Sequence, residues 1–402
     1  MKQATLNLSG KDAPVTLTTD DFKSENGTLA VKVTDDAHSL LNTKTASGTV
    51  YVSANGEKGV TPASELAKTK IMSFDQGSSV TLKGVTTMTD ESMYGIVTPV
   101  SQDESAGYVG GKYEVDKNVV SDKALRTIGA VRRAGRFIMA GMDAPLYPDS
   151  NDENVWAHWS RGNYGPGDWS GSHNDLAAGV DLYHTDHSRA GISVMHTNSS
   201  LDRTENLGEV SMKKKFTRVS LYGRHDFAGG LHAAGDVFAG GIRIKDTSLV
   251  DMSTRTAGVH AEVCVDVPAG RGTITPLVRA AYAGIRGFTT KDGEGFPFTM
   301  KESHYSSFSA GLKASLPLSP VSLLTAYAGW GIRTGYDIDG TMSDAWNTMD
   351  ISESGKEHVK TLGIGYRCDV TPFARLSLSA AREFSSGLHD DWNFQVSAAY
   401  KF

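Results

Sequence analysis

The closing stretch of the chain, WNFQVSAAYKF at Trp392–Phe402, alternates between two kinds of side chain. One face carries the larger or apolar residues Trp392, Phe394, Val396, Ala398, Tyr400 and Phe402. The other face carries the polar or small residues Asn393, Gln395, Ser397, Ala399 and Lys401. A period of two places successive side chains on opposite faces of a sheet. The stretch therefore predicts an amphipathic β-strand.

The same alternation recurs from Asn154 onward and predicts twelve strands in all. Their ranges are 154–163, 173–186, 189–198, 214–226, 230–244, 253–267, 272–287, 301–316, 321–336, 357–370, 373–384 and 391–402. All twelve exceed the five or six residues usual for strands in soluble proteins. They fit the 9–11 tilted residues that cross a bilayer, with some overhang.

The connections between these strands alternate in length. Tight turns such as FAGG (227–230) and PLSP (317–320) are followed, one strand later, by long polar loops such as 337–356. An even strand count with short turns at one end and long loops at the other is typical of an outer-membrane β-barrel. A soluble β-sandwich also alternates and stays the alternative fold, but its strands are shorter.

The residues on the predicted faces favour the barrel. In the second strand Leu176, Ala178, Val180 and Leu182 would face lipid, and Asp175 and Asp181 would face the lumen. Several aromatic residues are candidates for girdles at the membrane interfaces, unless they point inward against luminal glycines. They are Trp156, Trp159, Tyr222, Trp330, Tyr366, Trp392 and Tyr400.

Charge and cysteine usage exclude other classes. The net charge of −6 does not suggest a protein that binds nucleic acid. Cys264 and Cys368 lack CxxC spacing and fall on opposite faces of the predicted sheet, so we expect neither a zinc site nor a disulfide. The opening MKQATLNLSGKDAPV lacks the apolar core of a signal peptide. We therefore expect a cytoplasmic protein, a mature chain, a fragment or part of a split gene.

The region before the predicted barrel has a different composition. Up to about residue 117 it is rich in Thr, Ser, Val and Gly and predicts short stacked strands, with a repeat too irregular to establish a solenoid. Ser121–Met142 then predicts a helix with Ser121 as its N-cap. About 20 helical residues span about 30 Å, the thickness of a bilayer's hydrocarbon core.

Basic side chains keep this helix out of lipid, because charges in hydrocarbon are costly. They include Arg126, Arg132, Arg133 and Arg136. We expect the helix to lie in the lumen and to meet acidic side chains there. The candidate luminal acids are Asp175, Asp181, Asp236, Glu262 and Asp266. With the tight turns on the periplasmic side, residues before about 117 would lie outside the cell.

The order of these elements resembles a known family. A β-rich stretch, a short helix, twelve strands and a terminal Phe402 are similar to the C-terminal part of a monomeric autotransporter of type V secretion. NVWAHWSRGNY (154–164) resembles the family's first strand, and AAYKF, with Tyr400 and Phe402, resembles its outer-membrane assembly signal. The resemblance covers 118–402 well and is weaker for 1–117.

The resemblance implies an all-β fold: a twelve-stranded antiparallel transmembrane barrel with a helix in its lumen, preceded by a short β-helix-like passenger remnant. Residues 1–117 would end the passenger, 118–143 would form the linker helix and 144–402 the barrel. The barrel would sit in the outer membrane of a Gram-negative bacterium and export and anchor its passenger. Its implied partners are outer-membrane lipid, the barrel-assembly machinery, periplasmic chaperones and the passenger itself, with no nucleic acid.

No cofactor and no enzymatic activity are expected. An outer-membrane porin and an outer-membrane β-barrel enzyme remain the alternative functions. Some passengers of the family are cleaved at an Asn-Asn pair in the linker. Here a lone Asn118 precedes the β-branched Val119, which favours an uncleaved linker.

Three further motifs invite a catalytic or metal-binding interpretation. GDWSGSH (167–173), with Asp168, Ser170 and His173, lacks the G-x-S-x-G pattern of a nucleophile elbow, so we expect a surface loop. HTDH (His184–His187) is expected to be a solvated turn. The acidic stretch with Asp337, Asp339 and Asp344 lacks EF-hand spacing and predicts an exposed acidic loop.

Overall fold

The computed structural model describes residues 1–10, 13–34, 37–55, 61–139, 141–142, 144–147, 154–164, 170–205, 208–246, 251–290, 295–335, 338–385 and 390–401. The chain divides into two compact units. The first comprises Met1–Arg126 and Ser343–Thr348, and the second Thr127–Met342 and Met349–Phe402.

The described residues of the first unit form ten strands. They are β1 (Thr5–Asn7), β2 (Thr16–Lys32), β3 (Leu40–Asn55), β4 (Glu65–Ser73), β5 (Ser79–Gly84), β6 (Thr86–Thr87), β7 (Tyr94–Val97), β8 (Val100–Gln102), β9 (Ala106–Lys112) and β10 (Glu114–Val120). Strands β1, β2, β3 and β5 stack in parallel, with Leu6 beside Leu29 and Leu29 beside Val52. Antiparallel pairs β4–β9, β8–β9, β6–β7 and β7–β10 follow.

The stacked strands enclose an apolar core. Leu29, Leu41, Val50 and Val52 are fully buried in it, and Ile71 and Met72 extend it toward the antiparallel strands. Parallel stacking buries the apolar side chains of each strand against those of the next. The predicted stacking is present, but the strands are not uniformly short, because β2 has 17 residues and β3 has 16.

Helix α1 spans Asp122–Met139. Its first turn is capped as predicted, because the Ser121 hydroxyl accepts a hydrogen bond from the backbone N–H of Ala124 at 3.2 Å. Among the described residues, no helix is long and apolar enough to cross a membrane.

The second unit carries seventeen strands among its described residues. They are β11 (Val155–Tyr164), β12 (Ser170–His184), β13 (Ser188–Glu205), β14 (Gly208–Asp226), β15 (Leu231–Asp246), β16 (Asp251–Val265), β17 (Val267–Ala269), β18 (Gly272–Ile285), β19 (Phe288–Thr289), β20 (Phe298–Met300), β21 (Ser303–Ser319), β22 (Ser322–Thr334), β23 (Ile338–Ser343), β24 (Thr348–Glu353), β25 (Lys356–Thr371), β26 (Ala374–Ser385) and β27 (Asp390–Tyr400). A short 3-10 turn at Ala228–Gly230 joins β14 to β15.

Twelve of these strands close into one antiparallel barrel. The hydrogen-bonded order runs β11 to β16, then β18, β21, β22, β25, β26 and β27. Strand β27 returns to β11, with Tyr400 opposite Val155 and Trp392 opposite Asn163. The twelve predicted strands are confirmed, and closure leaves no unpaired sheet edge.

The two faces of the barrel strands differ as predicted. Leu176, Val219, Val237, Leu312 and Ile364 are exposed on the outer face. Free Cys264 points inward and is buried, whereas free Cys368 has the outward-facing parity of its strand. Trp159, Trp330, Tyr366, Trp392 and Tyr400 are exposed on the outer face, as a girdle requires, and their place at a membrane interface stays a prediction. Trp156 and Tyr222 take the alternative orientation: they are buried on the inner face, where glycines leave room for their rings.

A second sheet corrects the prediction of an exposed acidic loop after β22. Strands β19, β20, β23 and β24 form a four-stranded sheet. Ile338, Met342 and Ile351 are buried, while Asp339 between them is exposed and pairs with Lys301. The acidic residues in the sequence drew attention away from a short alternation of buried and exposed residues in β23. Asp337 lies outside the described residues.

Candidate functional site

The helix packs at the long-loop end of the barrel lumen. Arg133 lies 3.9 Å from Asp246, the last residue of β15, and Arg132 lies 3.4 Å from Glu353, the last residue of β24. The backbone N–H of Phe296 donates to the Thr127 hydroxyl at 3.3 Å. Gly135 faces Ile338 so closely that an added Cβ would overlap the isoleucine side chain. These contacts hold the helix between the end of the barrel and the second sheet.

The other two predicted arginines of the helix are Arg126 and Arg136. Arg126 donates to the backbone oxygen of Asp122, one turn earlier, at 3.4 Å. The side chain of Arg136 lies outside the described residues. Among the described side chains, the helix arginines meet Asp246 and Glu353, and neither is one of the five predicted luminal acids.

From the end of the helix onward, four side chains of the barrel wall bind main-chain carbonyl oxygens of Phe137, Met142, Ala144 and Leu146. Lys214 Nζ donates to the carbonyl oxygen of Phe137 at 2.9 Å, and Ser193 Oγ donates to that of Leu146 at 3.2 Å. Two further contacts are from Arg218 Nη2 to the Ala144 carbonyl, and from His260 Nε2 to the Met142 carbonyl at 2.7 Å. We call Ser193, Lys214, Arg218 and His260 the main-chain clamp.

All four clamp residues are buried on the inner face of β13, β14 and β16. Lys214 Nζ also lies 5.0 Å from the centre of the Phe137 ring, and Arg218 lies 5.0 Å from that of Phe238. The Phe137 carbonyl belongs to the last turn of α1, where carbonyls lack helical partners and a cation is favoured. Lys214 thus acts as a C-terminal cap from outside the helix.

His260 connects the clamp to a buried carboxylate. Its Nδ1 lies 2.8 Å from Asp236 Oδ1, while its Nε2 faces the Met142 carbonyl. Because a carbonyl can only accept, Nε2 must carry a proton in this hydrogen bond. The Nδ1–Asp236 contact then needs a second proton, held by either the imidazole or the carboxyl group.

Each of the five predicted acids is paired with a group other than the helix arginines. Asp175 accepts from Ser160, and Asp181 accepts from Tyr222 at 2.6 Å and lies 3.9 Å from Arg189. The other three pairs are Asp236–His260, Glu262–Arg279 and Asp266–His232. These partners come from the barrel strands and their turns, since neighbouring strands bring complementary side chains together on the inner face.

A cavity of about 380 Å³ remains in the lumen beside the clamp. Lys214, His260, Arg279, Tyr327, Arg333 and Glu383 contribute to its lining. Arg333 lies 2.5 Å from Glu383 and 3.8 Å from Glu357, which belong to β26 and β25. Charged side chains of both signs therefore line this part of the lumen.

The motifs that invited an enzymatic interpretation form no catalytic cluster among the described residues. Ser170 belongs to β12 and not to the predicted loop. His173, the predicted start of this strand, also lies in β12 and faces inward, 3.8 Å from Asp175. Asp168 lies outside the described residues. His184 is exposed in the predicted turn with His187. In the described part of the chain no group of His, Cys, Asp and Glu could hold a metal ion.

Two predicted positions lie elsewhere. Asn118 is exposed in strand β10, and its backbone N–H donates to Asp116 at 3.0 Å. Tyr400 is 49% exposed on the outer face of β27, and Phe402 lies outside the described residues.

Sequence reasoning missed the main-chain clamp, although part of the signal was present. Val219 and Leu221 face outward on β14, so Lys214 and Arg218 take the inward positions of the same alternation. That parity marks them as luminal cations, but it does not show which carbonyl each one contacts.

The sequence and fold match known proteins. Residues 154–381 match the model of the autotransporter beta-domain family. The transport unit of the autotransporter AIDA-I from Escherichia coli is similar at TM-score 0.54 and 16% identity, over 69% of this chain and 99% of that one. The Bordetella autotransporter BrkA β-domain has TM-score 0.48 and 15% identity, over 62% and 100%. The translocator domain of NalP from Neisseria meningitidis has 0.46 and 17%, over 69% and 98%.

No curated protein matches the sequence. The family match nevertheless covers more than half of the 402 residues, and the closed twelve-stranded barrel with one preceding helix agrees with it. The chain therefore belongs to the autotransporter family and contains its outer-membrane translocator β-domain.

Proposed function

We propose that this translocator carries residues before about 117 to the cell surface and then keeps them anchored there. In this proposal residues 1–117 end the passenger, 118–143 form the linker and 144–402 the barrel. The main-chain clamp carries the argument, because it holds the end of the linker and the first residues after it inside the lumen. A linker held in this way closes the pore and tethers whatever precedes it.

The contacts of the linker support a plug that accepts varied sequences. Three of the clamp's carbonyl partners belong to residues after the helix, and Ala144 is exposed although its carbonyl is bound. Main-chain carbonyls are present in every residue of a polypeptide. The wall can therefore retain the linker without requiring particular side chains, while Arg132 and Arg133 fix the helix through Glu353 and Asp246.

We further propose that the linker stays uncleaved and that the barrel-assembly machinery, with periplasmic chaperones, inserts the barrel. Asn118 lies in an extended strand and precedes a β-branched residue, which hinders attack of its side chain on its own backbone. Tyr400 and Phe402 are the proposed assembly signal, Tyr400 being exposed on the strand that closes the barrel.

Fractionation and conductance together test the proposal. The full chain should appear in outer-membrane fractions as a heat-modifiable band with no fragment of barrel size. In planar bilayers it should conduct little, and deletion of residues 118–142 should open a large conductance. A conductance that is equally large before and after the deletion would favour a general porin.

A further inference from the structure

We propose that a basic patch on the outer face of β14, β15 and β16 binds the phosphate groups of the phosphorylated glycolipid in the outer leaflet. The patch consists of Lys213, Lys215, Arg243, Lys245 and Arg255, all of them exposed. It lies outside the lumen and shares no residue with the main-chain clamp. The proposal rests on the orientation in the proposed function, in which the long-loop end faces outward.

The register of the sheet concentrates these charges. Lys213 is directly opposite Lys245, and Lys215 is directly opposite Arg243. Like charges directly opposite each other on one face of a sheet are destabilising. Asp251 partly offsets this repulsion by contacting Arg243 at 2.9 Å and Lys245 at 3.3 Å. Among the described residues, no carboxylate pairs with Lys213, Lys215 or Arg255. The patch therefore has an excess of positive charge that an anion would neutralise.

A glycine leaves open space within the patch. Gly241 pairs with Thr217 on β14 and with Arg255 on β16, and it lies two residues before Arg243 on the same face. A Cβ built on Gly241 would meet no atom within 4 Å. The space over Gly241 is thus open, with Lys215, Arg243 and Arg255 around it. A phosphate group can approach the backbone there and contact several of them.

The position of the patch along the strands identifies the ligand as a lipid. Val219 on β14, Val237 on β15 and Val259 on β16 are exposed on the same outer face. Lys215, Arg243 and Arg255 are the first charges beyond them toward the long-loop end. The apolar band of such barrels is about 25 Å tall and ends where headgroups begin. A ligand that contacts both the apolar band and the basic patch must carry phosphate groups next to hydrocarbon chains, as a phosphorylated lipid does.

Binding of a labelled bisphosphorylated lipid A to the purified full chain in non-ionic detergent tests this site. The triple variant Lys215→Gln, Arg243→Gln and Arg255→Gln should bind on the order of 100-fold more weakly, at about fivefold per basic side chain. Gly241→Leu should also weaken binding, although the charge is unchanged, because it fills the space over Gly241. Lipid A with its phosphates removed should bind poorly to the unaltered chain.

A matched control removes three other outward charges. Arg161, Lys356 and Lys360 are exposed, and none is opposite another cation in the described register. Changing them to glutamine should leave lipid binding unchanged, with heat-modifiability confirming that every variant is folded.

Three results would overturn the site: equal losses in both triple variants, tight binding of dephosphorylated lipid, or competition by inorganic phosphate as effective as by the lipid. The measurement in detergent does not depend on export. Failure of the proposed function would instead appear as absence of the chain from the outer membrane.

Discussion

The main-chain clamp makes a quantitative prediction about pore closure. Arg218 is fully buried and donates to the Ala144 carbonyl while its guanidinium group lies over Phe238. A hydrogen bond to a charged group contributes about 1.5–3 kcal/mol. Since 1.4 kcal/mol is a factor of ten in an equilibrium, Arg218→Met should raise the population of open pores about 10- to 100-fold. Methionine keeps most of the side-chain volume and removes the donor.

Planar-bilayer recording of the full chain measures that population as the fraction of time spent open. Arg161→Met, a change of the same kind at an exposed outward position, should leave the fraction unchanged. Ala144→Gln should also leave the pore closed, because the clamp binds the carbonyl and not the exposed side chain. The reasoning is refuted if Arg218→Met is as closed as the unaltered chain, or if Ala144→Gln is as leaky as Arg218→Met.

Three other changes test different parts of the molecule. Gly48→Ala should lower the free energy of unfolding of the first unit, measured in urea, by at least about 3 kcal/mol, because Gly48 has φ +87° and a Cβ would also overlap the Ser24 carbonyl. Gly77→Ala should lower it by less, because Gly77 has a similar φ but open space around it. Asp344→Asn should speed hydrogen exchange around Met93, whose N–H donates to Asp344 Oδ2 at 2.7 Å, and a similar rate in both proteins would contradict this contact. Deletion of Phe402 should reduce outer-membrane insertion at normal expression, whereas Lys401→Ala should not.

The barrel could be predicted from the sequence because its signal is local. Alternation in stretches such as Leu176–Leu182 indicates which side chains face outward, and loop lengths indicate which strands are neighbours. Antiparallel neighbours in sequence are then neighbours in space, and closure adds only the β27–β11 pair.

The contacts of the lumen could not be predicted, because they join residues far apart in sequence. Lys214 meets Phe137, and His260 meets Met142, only after the barrel has closed and fixed the height of each strand. Basic side chains pointed to a luminal helix, but acids are present on several inward faces. Arg133 and Arg132 pair with Asp246 and Glu353 because the helix lies next to these two acids at the long-loop end.

The parallel strands of the first unit and the four-stranded sheet of the second unit were hard to predict from local patterns. Leu6, Leu29 and Val52 recur at equal spacing, but the next partner of Val52 is Gly84, after a longer interval that hides the repeat. In β23 the acidic Asp339 separates Ile338 from Gly340, and only the buried Ile338 and Met342 reveal a strand.

Surface proteolysis of intact cells tests the central claim most directly. Protease is added to cells that make the full chain, and the products are followed with one antibody to residues 1–117 and another to the barrel. We predict loss of the first signal while a membrane-embedded barrel fragment survives. Protection of residues 1–117 in intact cells, with digestion only after the outer membrane is opened, would contradict export and anchoring by this barrel.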